Sequence, residues 1–288
     1  MKERALLFGA KKSLVGIVTE PPSPPPPARP AVLFLNAGVL HRVGPNRVHV
    51  RLARELTREG FLCLRFDFSG LGDSRPRTDP LPFAQAVVKE TSEGMDLLAS
   101  SHGARTFLLV GMCSGADNAL RVGARDSRVA GAALIEPYSV PAGGFLVYSY
   151  RKKLLNPLSW WRLLRGRSEV LRALKPRPDA SPAEPLAAPE AESLMPTRED
   201  LARQVGTLLD RRASLCFVYS AGSPAYFNYL SVFRRHLRGA LRDGRARLHV
   251  LERTDHVFTP LSAQDGLAAA IREWALAAGR PPSAGPGA

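Results

Sequence analysis

"RTFLLVGMCSGADNALRVGA", residues 105–124, passes from an apolar run through a tight turn into a helical pattern. Phe107 to Val110 has the continuous hydrophobicity of a strand buried on both faces. From Ala116 to Ala124 the small and apolar residues fall at helical spacing. A nucleophile held between strand and helix takes a strained backbone turn, and small residues two before and two after it relieve the crowding. Gly111 and Gly115 stand in that relation to Cys113, whereas Ser114 is flanked by Met112 and Ala116. The spacing therefore selects Cys113 as the nucleophile and makes Ser114 the first residue of the helix.

The same alternation extends in both directions. Upstream, "RALLF" and "LVGIVTEP" read as a hairpin, followed by a Pro-rich spacer at 21–30. "AVLFLN" (31–36) is a buried strand, 45–60 a helix ended by Gly60, "FLCLRFDF" (61–68) a strand, and 83–101 a helix. Downstream, "VAGAALIEP" (129–137), "SLCFVYS" (214–220) and "ARLHVLER" (246–253) are strands, with helices at about 224–241 and 263–278. Eight strands alternating with helices imply an α/β chain with a mostly parallel sheet covered on both faces. The rhythm breaks between 138 and 213. That interval holds an aromatic, basic segment, a Pro/Ala/Glu-rich stretch at 175–196 of linker composition, and a helix from Thr197 with Asp200 at N3. It reads as a helical lid inserted into a core made of 1–137 and 214–279, with 280–288 a disordered tail.

Composition narrows the setting. The chain has 288 residues, 45% of them hydrophobic, enough for one large domain with an insertion. No run approaches the about 18 apolar residues of a membrane span, and the N-terminus lacks the apolar core of a secretory signal. Three widely spaced cysteines form neither a disulfide framework nor a Cys-x-x-Cys metal pair, which points to a reducing cytoplasm. Cys63 and Cys216 lie in strand runs and read as core thiols. The formal charge of +14 is carried by arginine scattered beside Ala and Pro, so no nucleic-acid groove is expected. The one basic concentration, 150–167, mixes charge with Leu and Trp. It reads first as a cap helix with a solvated face, and second as a peripheral contact for a membrane or an acidic partner.

A thiol nucleophile needs a histidine partner to be held as thiolate. His256, in "ERTDHVFTP" between the last strand and the last helix, is placed to supply it. His49 and His236 fall in helices, His249 in a strand, His102 at the wrong edge, and His41 in a loop that it shapes. An orienting carboxylate is expected after "SLCFVYS", where the chain has Ser223 instead. Glu136, ending the strand after the elbow helix, is the favoured substitute. Asp255 is the other carboxylate at hand and reads as a loop stabiliser, and a Cys–His dyad without an acid stays open. An oxyanion needs backbone donors. These are expected from Ser114 and from the loop after "AVLFLN", around Gly38 and Val39. "FDFSGLGDS" (66–74) lacks a P-loop lysine and reads as a structural turn, with Asp67 and Asp73 accepting from turn amides.

The elements "FLNAGVLHRVGPNR", "FLCLRFDFSGLGDS", "VGMCSGA" and "TDHVF" together resemble the α/β-hydrolase superfamily. More narrowly they are similar to bacterial serine-aminopeptidase-like hydrolases, including those associated with exosortase and exopolysaccharide systems. The resemblance runs over most of residues 5–278, and 150–166 also resembles that group's lid. It implies an α/β-hydrolase fold and cofactor-free hydrolysis or transfer of an ester, thioester or amide acyl group, with Cys113 as nucleophile and His256 as base. Ser223 departs from the family's aspartate, and a cysteine in the elbow is a minority choice, as in dienelactone hydrolases. Three functions follow: a cysteine-dependent acyl hydrolase acting on a small-molecule or carrier-bound acyl substrate, an acyltransferase with the same acyl-Cys intermediate, and a non-catalytic binding protein of the same fold. In the first two, Tyr148, Trp160 and Trp161 of the lid are candidates to line the acyl pocket. No metal is expected, and oligomeric state is not legible.

Overall fold

The computed structural model describes residues 1–26, 28–138, 197–221 and 234–279. Most of the inserted interval, including Tyr148, Trp160, Trp161, the basic stretch 150–167 and the 175–196 linker, lies outside the described residues, as do Ser223 and the 280–288 tail. Residues 1–140 and 196–288 form one compact unit.

Its strands are β1 (Lys2–Phe8), β2 (Leu14–Glu20), β3 (Ala31–Leu35), β4 (Cys63–Phe66), β5 (Phe107–Met112), β6 (Val129–Ile135), β7 (Ser214–Ser220) and β8 (Ala246–Leu251). They form one eight-stranded sheet in the order β1-β2-β4-β3-β5-β6-β7-β8. Only the β1–β2 and β2–β4 pairs are antiparallel. This is the α/β-hydrolase fold, with the strands expected from the sequence and ends moved by a few residues.

The helices are α1 (Val48–Arg58), α2 (Phe83–His102), α3 (Ser114–Arg125), α4 (Arg198–Asp210), α5 (Arg234–Arg242) and α6 (Leu261–Ala278). Alternate residues of the buried strands feed two cores, as the pleat requires. Leu33, Leu35, Leu109, Leu134, Leu215 and Phe217 pack in one cluster with α2, α3 and α4. Val32, Phe34, Leu108, Val110, Ile135 and Val218 pack in the other with α1 and α6. Helix α4, which the sequence groups with the insertion, contributes Leu201, Val205 and Leu208 to the first core. Its capping box forms, with Asp200 N–H donating to Thr197 Oγ1 at 3.1 Å and Thr197 N–H to Asp200 Oδ2 at 3.3 Å. Cys63 and Cys216 are buried, and burial pushes both thiols up to about 12, which keeps them protonated and inert.

The register levels the C-terminal ends of three strands. Met112 pairs with Ile135, and Ile135 with Val218. Cys113 N–H donates to the Ile135 carbonyl at 2.9 Å, and Glu136 N–H to the Val218 carbonyl at 2.8 Å. The residues immediately after β5 and β6 are thus neighbours in space. Ligands bind at this edge of parallel sheets, where loops rather than ladders decide the chemistry.

Candidate active site

Cys113 sits at φ 52° and ψ −124°, a strained conformation for a side-chain-bearing residue. The two glycines make the turn physically allowed. A Cβ on Gly111 would stand 2.0 Å from the Gly115 carbonyl oxygen, and one on Gly115 would stand 2.5 Å from that of Asn36. Both obstacles are backbone, which cannot swing aside. The Gly-x-Cys-x-Gly spacing is therefore a packing requirement of the elbow, and the cysteine is the residue that the elbow presents.

Cys113 Sγ lies 2.7 Å from His256 Nε2. His256 occupies the loop between β8 and α6, which is held from several sides. Asp255 Oδ1 accepts from Thr259 N–H at 2.9 Å, and Asn46 Nδ2 donates to the Val257 carbonyl at 3.0 Å. Phe258 is fully buried, and its carbonyl accepts from Gln264 Nε2 at 3.0 Å. Asp255 thus serves its own loop, as its adjacency to His256 suggests, and the orienting contact comes from elsewhere.

That contact is Glu136. Its Oε2 lies 3.3 Å from His256 Nδ1, and its side chain is wholly buried while that of His256 is 55% exposed. Glu136 itself takes a positive φ of 49°, and its Oε1 accepts a hydrogen bond from Ser220 N–H on β7. The carboxylate therefore has one oxygen on a backbone donor and the other on the imidazole. The sulfur of Cys113 first, and Glu136 second, raise His256 from its ordinary 6.5 to about 10, against the opposing effect of burial. At neutral pH the imidazole is held as imidazolium between the sulfur and the buried carboxylate.

In the loop after β3, one of the expected oxyanion donors is engaged within the protein. Gly38 N–H, a candidate donor, is spent on Ser114 Oγ at 2.8 Å. Val39 follows it, largely exposed, and Leu40 N–H closes a turn on the Ala37 carbonyl at 3.1 Å. Asn36 fixes this loop by donating Nδ2 to the Leu40 carbonyl at 2.9 Å and to Asp67 Oδ1 at 3.2 Å. Asp67, fully buried, also accepts from Asp73 N–H at 3.2 Å and pairs with the Arg42 guanidinium. Asp67 thus binds turn amides as expected, whereas Asp73 pairs with Arg42 at 2.7 Å.

Two buried ionisable groups had no signal in the sequence. His49 is buried on α1 against Phe34, and desolvation lowers it to about 4. Asp117, in the first turn of α3, accepts from Tyr138 N–H at 3.1 Å, and burial raises it to about 6. Both follow from long-range packing that a helical position alone does not reveal. Among the described residues there is no cluster able to hold a metal ion, and no helix long and apolar enough to cross a membrane.

No known family profile matches this chain. No curated protein is similar to it in sequence. Solved structures are similar in fold. An esterase from Pyrococcus furiosus superposes with a TM-score of 0.58 at 12% identity, over 95% of this chain and 91% of that one. The dienelactone hydrolase from Anabaena variabilis gives 0.56 at 15% identity, over 96% and 97%. The proline iminopeptidase of Mycobacterium smegmatis gives 0.56 at 15% identity, over 96% and 99%. Identities this low establish the shared fold and leave the chemistry to the site itself.

Proposed function

We propose that this protein is a cysteine-dependent acyl hydrolase acting on ester or thioester bonds through an acyl-enzyme on Cys113. The observation that carries the reading is the unbroken chain from Cys113 Sγ through His256 to the buried carboxylate of Glu136. With His256 Nε2 2.7 Å from the sulfur, the imidazole stands where it can take the thiol proton and act as the acid–base partner of the reaction. The thiolate attacks the acyl carbon, forming the C–S bond while the carbonyl π pair moves onto oxygen. Collapse of that oxyanion restores the C=O bond and breaks the bond to the leaving group, which takes its proton from His256. His256, now neutral and still oriented by Glu136, accepts a proton from water as the water attacks the thioester. Cys113 leaves as thiolate, and a carboxylic acid departs.

The fold of an esterase, a dienelactone hydrolase and an iminopeptidase supports acyl chemistry at this edge of the sheet. A small-molecule or carrier-bound acyl group is the substrate proposed. The test is turnover of nitrophenyl esters and acyl-thioesters by the wild-type chain against Cys113→Ala and His256→Ala. Turnover lost in both variants is the expected result. Turnover retained in Cys113→Ala, or no turnover together with an unreactive Cys113, would overturn the reading. Faster discharge to an added amine than to water would instead identify an acyltransferase using the same intermediate.

A further inference from the structure

We infer that the Ser114 hydroxyl, backed by the Gly38 amide, is itself an oxyanion donor, so that Ser114 supplies two donors to the reacting carbonyl oxygen. The inference rests on the acyl-enzyme reading above. It begins from the 2.8 Å hydrogen bond in which Gly38 N–H donates to Ser114 Oγ. A backbone amide has one proton, and here that proton is committed to the hydroxyl. The loop after β3 therefore offers the site no free N–H at Gly38.

A serine hydroxyl accepts and donates at once. With Oγ accepting from Gly38, its own proton must point away from that amide. No acceptor for this proton is found among the described residues. Ser114 is exposed and adjoins Cys113 in sequence. Its own N–H opens α3 and has no intrahelical carbonyl to bind. The rotatable O–H of Ser114 and its fixed N–H at the start of α3 thus belong to one residue beside the sulfur, and neither has a hydrogen-bond acceptor among the described residues. Accepting from Gly38 also polarises the O–H and makes it a better donor. Because the Asn36 side chain anchors this loop to Asp67, the Gly38 amide is held in place before substrate binds, as preorganised stabilisation requires. In the reaction this changes no bond count. The carbonyl π pair moves to oxygen when the C–S bond forms, and the two Ser114 donors share that charge until collapse.

The experiment compares wild type, Ser114→Ala and Ser114→Thr in two reactions of the same thiol. Acylation by a nitrophenyl ester builds an oxyanion. Alkylation by iodoacetamide displaces iodide and builds none. The expected result is that Ser114→Ala slows acylation by about 100-fold, the scale of a lost oxyanion donor, with KM little changed. Its alkylation rate stays at the wild-type value, which also reports an intact elbow. Ser114→Thr, which keeps the hydroxyl, is expected to recover most of the acylation rate. Acylation of Ser114→Ala at or above the wild-type rate would overturn the inference, since the hydroxyl would then only cover an amide that acts directly. A parallel fall in alkylation, or a Ser114→Thr as slow as Ser114→Ala, would overturn it too, by making the effect structural. A wild-type chain that is alkylated but never acylated would overturn the acyl-enzyme reading itself, and is recognised before any variant is compared.

Discussion

Replacing Glu136 with glutamine removes one charge from the least accessible point of the site and leaves its shape intact. The backbone conformation at φ 49° and the Ser220 N–H bond to the retained carbonyl oxygen can both persist. What changes is the partner of His256 Nδ1, now 3.3 Å from an amide instead of a carboxylate. A hydrogen bond to a charged group contributes about 1.5–3 kcal/mol. The His256 side chain is more than half exposed, so solvent screening places the loss in the lower part of that range. About 1.5–2 kcal/mol corresponds to an acylation rate lower by roughly 10- to 30-fold. The pH profile carries a second signature. Protonated His256 is the acid that serves the leaving group, so activity is lost as pH rises through its pKa, about 10 in the wild type. Without the Glu136 charge that pKa falls, and the alkaline limb of kcat/KM moves to lower pH. Stopped-flow acylation measured across pH tests both effects together. A Glu136→Gln variant with the wild-type rate and an unmoved alkaline limb would refute the role given to this carboxylate.

Further expectations concern the elbow and its helix. Gly115→Ala drives a Cβ to 2.5 Å from the Asn36 carbonyl oxygen, and overpacking of this kind costs about 1–3 kcal/mol. Its denaturation midpoint should fall together with acylation, and an unchanged midpoint would contradict the close approach of α3 to β3. Asp117 is raised from 3.8 to about 6 by burial, so the folded chain keeps this proton where the unfolded chain has released it. Stability is therefore lost as pH climbs through that window, by up to about 3 kcal/mol. Asp117→Asn keeps an acceptor for Tyr138 N–H and is expected to raise Tm above pH 6 while changing little near pH 4. Equal Tm differences at both pH values would contradict burial as the cause.

Much of this arrangement is legible in the chain because it is written locally. The alternation of apolar runs and helical spacing gives the sheet, and a glycine two residues either side of Cys113 gives the elbow. Glu136 was readable because the ends of consecutive parallel strands fall level, so a carboxylate just after β6 stands beside a nucleophile just after β5. Ser223, where an aspartate is expected, leaves Glu136 as the carboxylate legible for this role, and Ser223 itself lies outside the described residues. What sequence did not disclose depends on pairings across long separations. Ser114 Oγ meets Gly38 N–H across 76 residues, and Asn36 meets Asp67 across 31. Neither partner carries a mark of the other, since hydroxyls and amides in loops pair with whatever the fold brings near. The burial of His49 and Asp117 belongs to the same class, because a helix fixes spacing but not what packs against each face.

On the proposed mechanism Cys113, and not the serine beside it, carries the acyl group. Quenching the wild-type chain in acid during turnover of an acyl-thioester and mapping the adduct by tandem mass spectrometry addresses it directly. The expected result is one acyl group per chain, on Cys113, released by hydroxylamine at neutral pH as thioesters are. An adduct on Ser114, or steady turnover with no adduct at Cys113, would contradict it.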